Sequence, residues 1–204
     1  MVNFLSLFKR LWGIAYPRGP LCELVGKGKY RELLALGTRQ LVMSGMRLPS
    51  NFNNDDVVSV YWYTHQNLRT LNYKSLNAVL WGQHRPAKRE LLELCAHLTV
   101  ALEKLPPYTG PCWRTAKFDV TVAAPHVTGQ SVQYPAFTST SRKLRAMPPP
   151  GGSYIEVEVR TGRYIGGLSR FADEEEVLLL PGTTFEVLTN RVTGGTREIH
   201  MVEI

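Results

Sequence analysis

Apolar positions in the first half of the chain recur at helical spacing. Phe4, Leu5, Phe8, Leu11, Trp12 and Ala15 make one stripe over residues 2–15, with Lys9 and Arg10 off it, which predicts a basic amphipathic helix. Such a helix either docks on its own domain or lies on a membrane surface. Docking is the favoured reading, with membrane contact through residues 2–15 as the alternative. Tyr16-Pro-Arg-Gly-Pro20 ends the helix, because proline has no N–H and glycine frees the backbone. A second helix follows over 21–36, with Leu24, Val25, Leu33 and Leu34 apolar and Gly26 and Gly28 weakening its first half. Asp55 or Asp56 is placed to cap a helical stretch over 57–81, whose apolar positions include Val57, Val60, Tyr61, Leu68, Tyr73, Leu76 and Leu80. Beyond the Arg85-Pro86 linker, residues 88–104 carry the clearest stripe in the chain: Leu91, Leu94, Cys95, Leu98, Ala101 and Leu102. Pro106-Pro107 stops it.

After Gly110 the period shortens. Strand-like runs appear at 112–122, 134–140, 154–160, 175–180, 184–192 and 197–204, separated by Pro/Gly turns. Helices first and strands afterwards predict an α+β architecture. The division is an N-terminal helix and linker over 1–20 and one domain over 21–204, with a helical lobe (21–109) and a β core (110–204).

Composition narrows this picture. The 204 residues suffice for one sizeable domain with a small appendage. No apolar run approaches the roughly 20 residues of a membrane-spanning helix. The net charge of +7 favours an acidic partner. The cations are spread out and not interleaved with aromatics, so nucleic acid is not expected. Cys22, Cys95 and Cys112 are odd in number and contain no C-x-x-C pair, which argues against a disulfide framework and against a metal site.

Candidate chemistry centres on Glu174-Glu175-Glu176, directly before the apolar run Val177–Leu180. If all three lie in a strand, Glu174 and Glu176 share one face and Glu175 points the other way. Two carboxylates at a strand mouth can do acid/base or cation-stabilising work; the same run alone also reads as a solubilising turn. Three other pieces precede it. Trp113-Arg114-Thr115 puts an arginine into a strand, where it must sit at an edge or hold an anion or carboxylate. Phe137-Thr138-Ser139-Thr140-Ser141 is a hydroxyl-dense strand, and Gly162-Arg-Tyr-Ile-Gly-Gly-Leu-Ser169 leads into the loop before the carboxylates.

In this order the pieces resemble the arginine-specific mono-ADP-ribosyltransferases of the R-S-E class, over roughly residues 60–204 and most closely from Gly162 to Val187. The resemblance implies two packed, mainly antiparallel β-sheets forming an NAD cleft after a helical lobe. It also implies transfer of ADP-ribose from NAD, as substrate, to an arginine of a target protein. By the same resemblance Glu176 stabilises the ribosyl cation and holds the ribose 2′-hydroxyl, while Glu174 orients the incoming guanidinium. Ser139 positions Glu176, Arg114 holds the diphosphate, and Thr115 meets the nicotinamide amide. Thr140 and Ser141 complete the hydroxyl strand lining the NAD site, and Phe171 occupies the aromatic position of the target-recognition loop, with Gly166 and Gly167 letting that loop move. Thr115 stands where many members have glycine. Tyr154 is a candidate for the aromatic that stacks on nicotinamide. Arg142 and Arg145 read either as phosphate contacts or as ordinary surface arginines.

The resulting expectation is a monomeric bacterial effector or toxin enzyme delivered into the cytoplasm of another cell. Its rivals are an NAD glycohydrolase, with water as acceptor, and a non-catalytic basic module binding an acidic partner or membrane.

Overall fold

The computed structural model describes residues 17, 19–65, 71–82 and 89–204. The helix expected over 2–15 and the Arg85-Pro86 linker lie outside the described residues. The described residues fold as two compact units: those from Pro17 to Pro106 with Arg163–Asp173, and Pro107–Gly162 with Glu174–Ile204.

The first unit contains, among the described residues, α1 (Leu21–Val25), α2 (Lys27–Ser44), α3 (Asn54–Thr64), α4 (Tyr73–Leu80) and α5 (Arg89–Lys104). The single helix expected over 21–36 is two, because Gly26 at φ 86° breaks it. α2 then continues to Gly45, whose left-handed backbone turns its N–H back onto Leu41 O at 3.0 Å. α3 packs against both α2 and α5 and is buried from Asp56 to Thr64. Its cap is neither Asp55 nor Asp56 but Asn53, whose side chain accepts from Asp56 N at 3.1 Å. The Asp56 carboxylate reaches back to Asn53 N at 2.7 Å, a reciprocal capping box. Lys104 Nζ neutralises the same buried carboxylate at 2.6 Å. The helix expected through Trp81 stops at Thr64, and α4 starts afresh at Tyr73 with the Asn72 side chain accepting from Ser75 N at 2.9 Å.

Arg163–Asp173 is tied to these helices. Arg163 Nε donates to Leu102 O at 2.9 Å, Ser44 Oγ to Gly167 O at 2.7 Å, and Arg170 N to Thr64 Oγ1 at 3.1 Å. A Cβ on Gly167 would come within 2.6 Å of Met46 Cβ, and one on Gly166 within 2.8 Å of the Tyr164 ring. The space beside both glycines is filled, a packing demand that the loop freedom read from the sequence did not include.

The second unit is built on β1 (Pro107–Ala116), β2 (Ser131–Tyr134), β3 (Thr138–Ser141), β4 (Ser153–Tyr164), β5 (Glu176–Leu179), β6 (Thr183–Thr193) and β7 (Thr196–Glu203). Their order is β1-β3-β5-β4-β7-β6-β2, with an added β1–β4 pairing. The β1–β3, β3–β5, β2–β6 and β6–β7 pairs are antiparallel, and β4–β7 is parallel. β4 is long enough, at 12 residues, to serve both halves of the array.

The run expected at 112–122 ends as a strand at Ala116, and Val120–Val122 is a short 3-10 turn capped by the Asp119 side chain. The run expected at 134–140 meets only Tyr134, the last residue of β2, before Pro135, which has no N–H to give a ladder, and resumes as β3 at Thr138; Ser131–Gln133 of β2 lie outside the expected run. Inward residues alternate as the period of two requires: Ile155, Val157 and Val159 on β4, Phe185 and Val187 on β6, Ile199 and Met201 on β7 are buried.

Two polar networks close this unit. Glu203, buried near the end of β7, accepts from Arg160 N at 2.6 Å, Thr161 N at 2.9 Å and the Thr161 hydroxyl. Asp119 accepts from Arg197 Nε at 2.7 and 2.8 Å and from Thr121 N at 3.0 Å, while Arg197 Nη1 donates to Asn190 Oδ1 at 2.9 Å.

Glu203→Ala strands two backbone N–H groups and a hydroxyl, so it is expected to destabilise the chain by about 1–3 kcal/mol in denaturant unfolding. A loss below about 0.5 kcal/mol would contradict this role. The Arg197 guanidinium, with the Thr121 donors, holds the Asp119 carboxyl well below the usual carboxylate range. An acid depressed in the fold adds stability that is complete above the unfolded pKa of about 3.9 and fades as pH falls toward the folded value. The gap in Tm between wild type and Arg197→Gln is therefore expected to be constant above about pH 5 and to shrink below about pH 4. A gap that does not change with pH would refute the assignment.

Candidate active site

The site is built on the β3–β5 ladder. Ser141 lies opposite Glu176, Thr140 opposite Val177 and Ser139 opposite Leu178. Directly opposed residues share a sheet face, so Ser139, Ser141, Glu176 and Leu178 point one way and Thr140 and Val177 the other. The Ser139 hydroxyl donates to Glu176 Oε1 across the diagonal. Glu176 is only 6% exposed, and a carboxylate that deep requires such donors. Thr140 Oγ1 donates to Val177 O at 2.7 Å, bracing the ladder.

Glu174 and Glu176 do converge, though not through strand alternation. β5 begins at Glu176, and Glu174 closes a 3-10 turn, Ala172–Glu174. Between them Glu175 adopts φ 48°, the one positive φ at a non-glycine residue among the described residues. A left-handed residue reverses the local chain direction and brings its two neighbours toward one cleft. Nor is Glu175 a mere outward spacer: its carboxylate meets Arg142 Nε at 2.5 Å.

The cleft has a volume of about 230 Å³ and is lined by Trp113, Arg114, Thr115, Ser139, Thr140, Arg145, Glu174 and Glu176. Arg114 Nη1 donates to Ser139 O at 2.7 Å, so the guanidinium is braced by the strand that carries the serine. Arg145 Nη2 donates to Glu174 O at 3.3 Å and approaches the Glu174 carboxylate only to 3.9 Å. That carboxylate is half exposed, and so loose a pairing contributes about 1 kcal/mol at most. Glu174 can therefore exchange this partner for another guanidinium at little cost.

Of the residues singled out from the sequence, Arg114, Thr115, Ser139, Thr140, Glu174 and Glu176 line one cleft. Ser141 does not; its hydroxyl donates to Glu174 O at 2.6 Å and holds the acidic turn. Tyr154 pairs with Glu198 along β4–β7 and is not a lining residue, whereas Trp113 is the aromatic in the cleft. Arg145 is likewise a lining residue rather than an ordinary surface arginine. Phe171 belongs to the helical unit, where it is 37% exposed, with the Arg170 guanidinium 5.6 Å from its ring centre.

An arginine braced across β1 and β3, a serine on β3 and a buried carboxylate opening β5 thus come together in one cleft. The sequence matches the model of the NAD:arginine ADP-ribosyltransferases over residues 29–204. The chain belongs to that family. It is 30% identical over 191 residues to the NAD(+)--protein-arginine ADP-ribosyltransferase Tre1 of Serratia proteamaculans, covering 94% of this chain and 41% of that protein. The chain thus spans less than half the length of the curated relatives it matches. The fold is similar to that of the type III effector XopAI from Xanthomonas axonopodis pv. citri (TM-score 0.67, 20% identity, 98% of this chain and 81% of that one). It is also similar to that of Vis, a toxin and ADP-ribosyltransferase from Vibrio splendidus, solved with agmatine (TM-score 0.62, 22% identity, 85% of each chain).

Behind β5, Gly162 of β4 makes room for the strand that carries Glu176. A Cβ there would lie 2.6 Å from Val177 Cγ1 and 2.8 Å from Val159 Cγ1. Gly162→Ala is expected to cost about 1–3 kcal/mol of stability by overpacking, read by denaturant unfolding. An unchanged midpoint would show that β5 shifts freely.

Proposed function

We propose that this chain transfers ADP-ribose from NAD to an arginine side chain of a target protein. The observation that carries the reading is the pair of carboxylates converging on one cleft in unlike settings: Glu176 buried and bonded to Ser139, Glu174 half exposed. Breaking the bond between nicotinamide and ribose leaves cationic character on the ribose carbon. A fixed carboxylate in a partly dry site stabilises that charge better than water does. Glu176 takes this role and accepts from the ribose hydroxyl, and Ser139 holds it in place. Arg114 and Arg145 supply the guanidinium groups that suit a diphosphate, Trp113 an aromatic face, and Thr115 a backbone contact for the nicotinamide amide.

Glu174 then orients the acceptor. A carboxylate matches the fork of a guanidinium, and its exposure leaves it open to a group arriving from solvent. The acceptor nitrogen forms a bond to the ribose carbon, nicotinamide leaves with the bonding pair, and the guanidinium loses a proton. Phe171 serves the contact with the target protein. Delivery of the chain as a bacterial effector or toxin is part of this reading, supported by the fold it shares with the type III effector XopAI and the toxin Vis.

The test separates the two carboxylates. Glu176→Gln is expected to lower both nicotinamide release and transfer to a guanidino acceptor by about 10²–10³-fold. Glu174→Gln is expected to leave nicotinamide release from NAD alone within about threefold while cutting transfer by about 10²-fold or more. Equal loss of both activities in Glu174→Gln would contradict the division of roles, and nicotinamide release without any labelled acceptor in the wild type would make water the acceptor.

A further inference from the structure

The residues that follow β3 grip the acidic turn atom by atom. Ser141 Oγ donates to Glu174 O at 2.6 Å, Arg142 N to Glu175 O at 3.1 Å, and Arg142 Nε to the Glu175 carboxylate at 2.5 Å. The second and third contacts fall on one residue, Glu175, at φ 48°. Backbones of this kind are sparsely populated outside glycine and persist only where their surroundings over-determine them.

The two carboxylates flanking that residue are anchored differently. Glu176 is held in place by its pairing with Ser141 in the ladder and by the Ser139 hydroxyl, neither of which involves the turn. Glu174 lies outside the ladder, at the end of the 3-10 turn, so its placement beside Glu176 passes through Glu175.

We propose that Arg142 is a positioning residue that clamps the left-handed turn at Glu175 and thereby sets whether ADP-ribose passes to a guanidino acceptor or to water. This rests on the transfer reading given above. As an ion pair alone, Arg142–Glu175 would matter little, because its side chains are 42% and 33% exposed. Its weight lies in geometry. The backbone N–H of Arg142 holds the Glu175 carbonyl and its side chain holds the Glu175 carboxylate, and the side-chain half of this grip is what Arg142→Gln removes. Arg142 does not line the cleft, so its loss removes no group from the NAD site itself.

The experiment is a mutant cycle on the chain using Arg142→Gln, Glu175→Gly and the double variant. Glycine adopts positive φ without a clamp, so Glu175→Gly keeps the turn by another means. Each protein is assayed for nicotinamide release from NAD alone and for transfer of label to agmatine. Arg142→Gln is expected to raise the KM for agmatine or lower the transfer rate by about tenfold in total, with nicotinamide release changed less than about twofold. In the Glu175→Gly background the same substitution is expected to change the transfer-to-release ratio by less than about twofold. An unchanged ratio in Arg142→Gln, or an equal loss in the Glu and Gly backgrounds, overturns the clamp while leaving the transfer reading intact. A parallel fall of both activities in Arg142→Gln also overturns it, since that is the mark of a merely structural role. A wild-type chain that transfers nothing to agmatine or protein overturns the transfer reading, and the clamp with it.

Discussion

A carboxylate at the first residue of a strand, almost closed to solvent, is the constraint on which the sheet unit's site depends. Glu176 can stay there because β3 presents a hydroxyl to it across the ladder and because β5 is paired along its whole length. The same β3 carbonyl row accepts Arg114, so cation, hydroxyl and carboxylate are placed by one set of strand pairings. Shifting the β3–β5 register by one residue would turn Ser139 to the other face and leave the buried charge without its donor. The hydroxyl-dense composition of β3 follows from this. Ser139 bonds the buried carboxylate, Thr140 ties β3 to the Val177 carbonyl of β5 and Ser141 reaches the turn.

The acidic triplet shows how one short segment can place three like residues in three environments. Glu176 is buried in the ladder, Glu175 sits in a left-handed turn paired with Arg142, and Glu174 is half exposed at the end of a 3-10 turn. Three adjacent carboxylates would repel one another if left together. Cations from the segment after β3 offset that repulsion, and the change in backbone direction separates the charges. Solvent exposure then divides the two carboxylates in the cleft into a fixed inner group and an outer group that can change partners.

Much of this was legible in the chain itself. Periodicity located the strand-rich runs apart from β2, of which it reached only Tyr134, and the long helix ending at Lys104, and the ordered Arg114, Ser139 and Glu174/Glu176 set pointed to one cleft. What periodicity misplaced were boundaries governed by single residues. Gly26 splits a helix, Pro135 splits a strand run, and Asn53 rather than an aspartate caps α3. Gly166 and Gly167 looked like hinge glycines, yet both are closely packed, Gly167 against Met46 Cβ and Gly166 against the Tyr164 ring. Local sequence records that a glycine is present, but not whether the space beside it is filled.

The sequence by itself determined the α+β order, the family and the residue types of the site, because these depend on hydrophobic period and on which chemical groups occur in which order. Only the tertiary structure decided that Glu174 and Glu176 meet across a left-handed residue rather than along a strand. It alone moved Arg145 and Trp113 into the cleft, and it tied Arg142 to the middle glutamate. Those outcomes depend on which strands pair and in what register, and contacts between residues 29 and 33 positions apart leave no periodic trace in the chain.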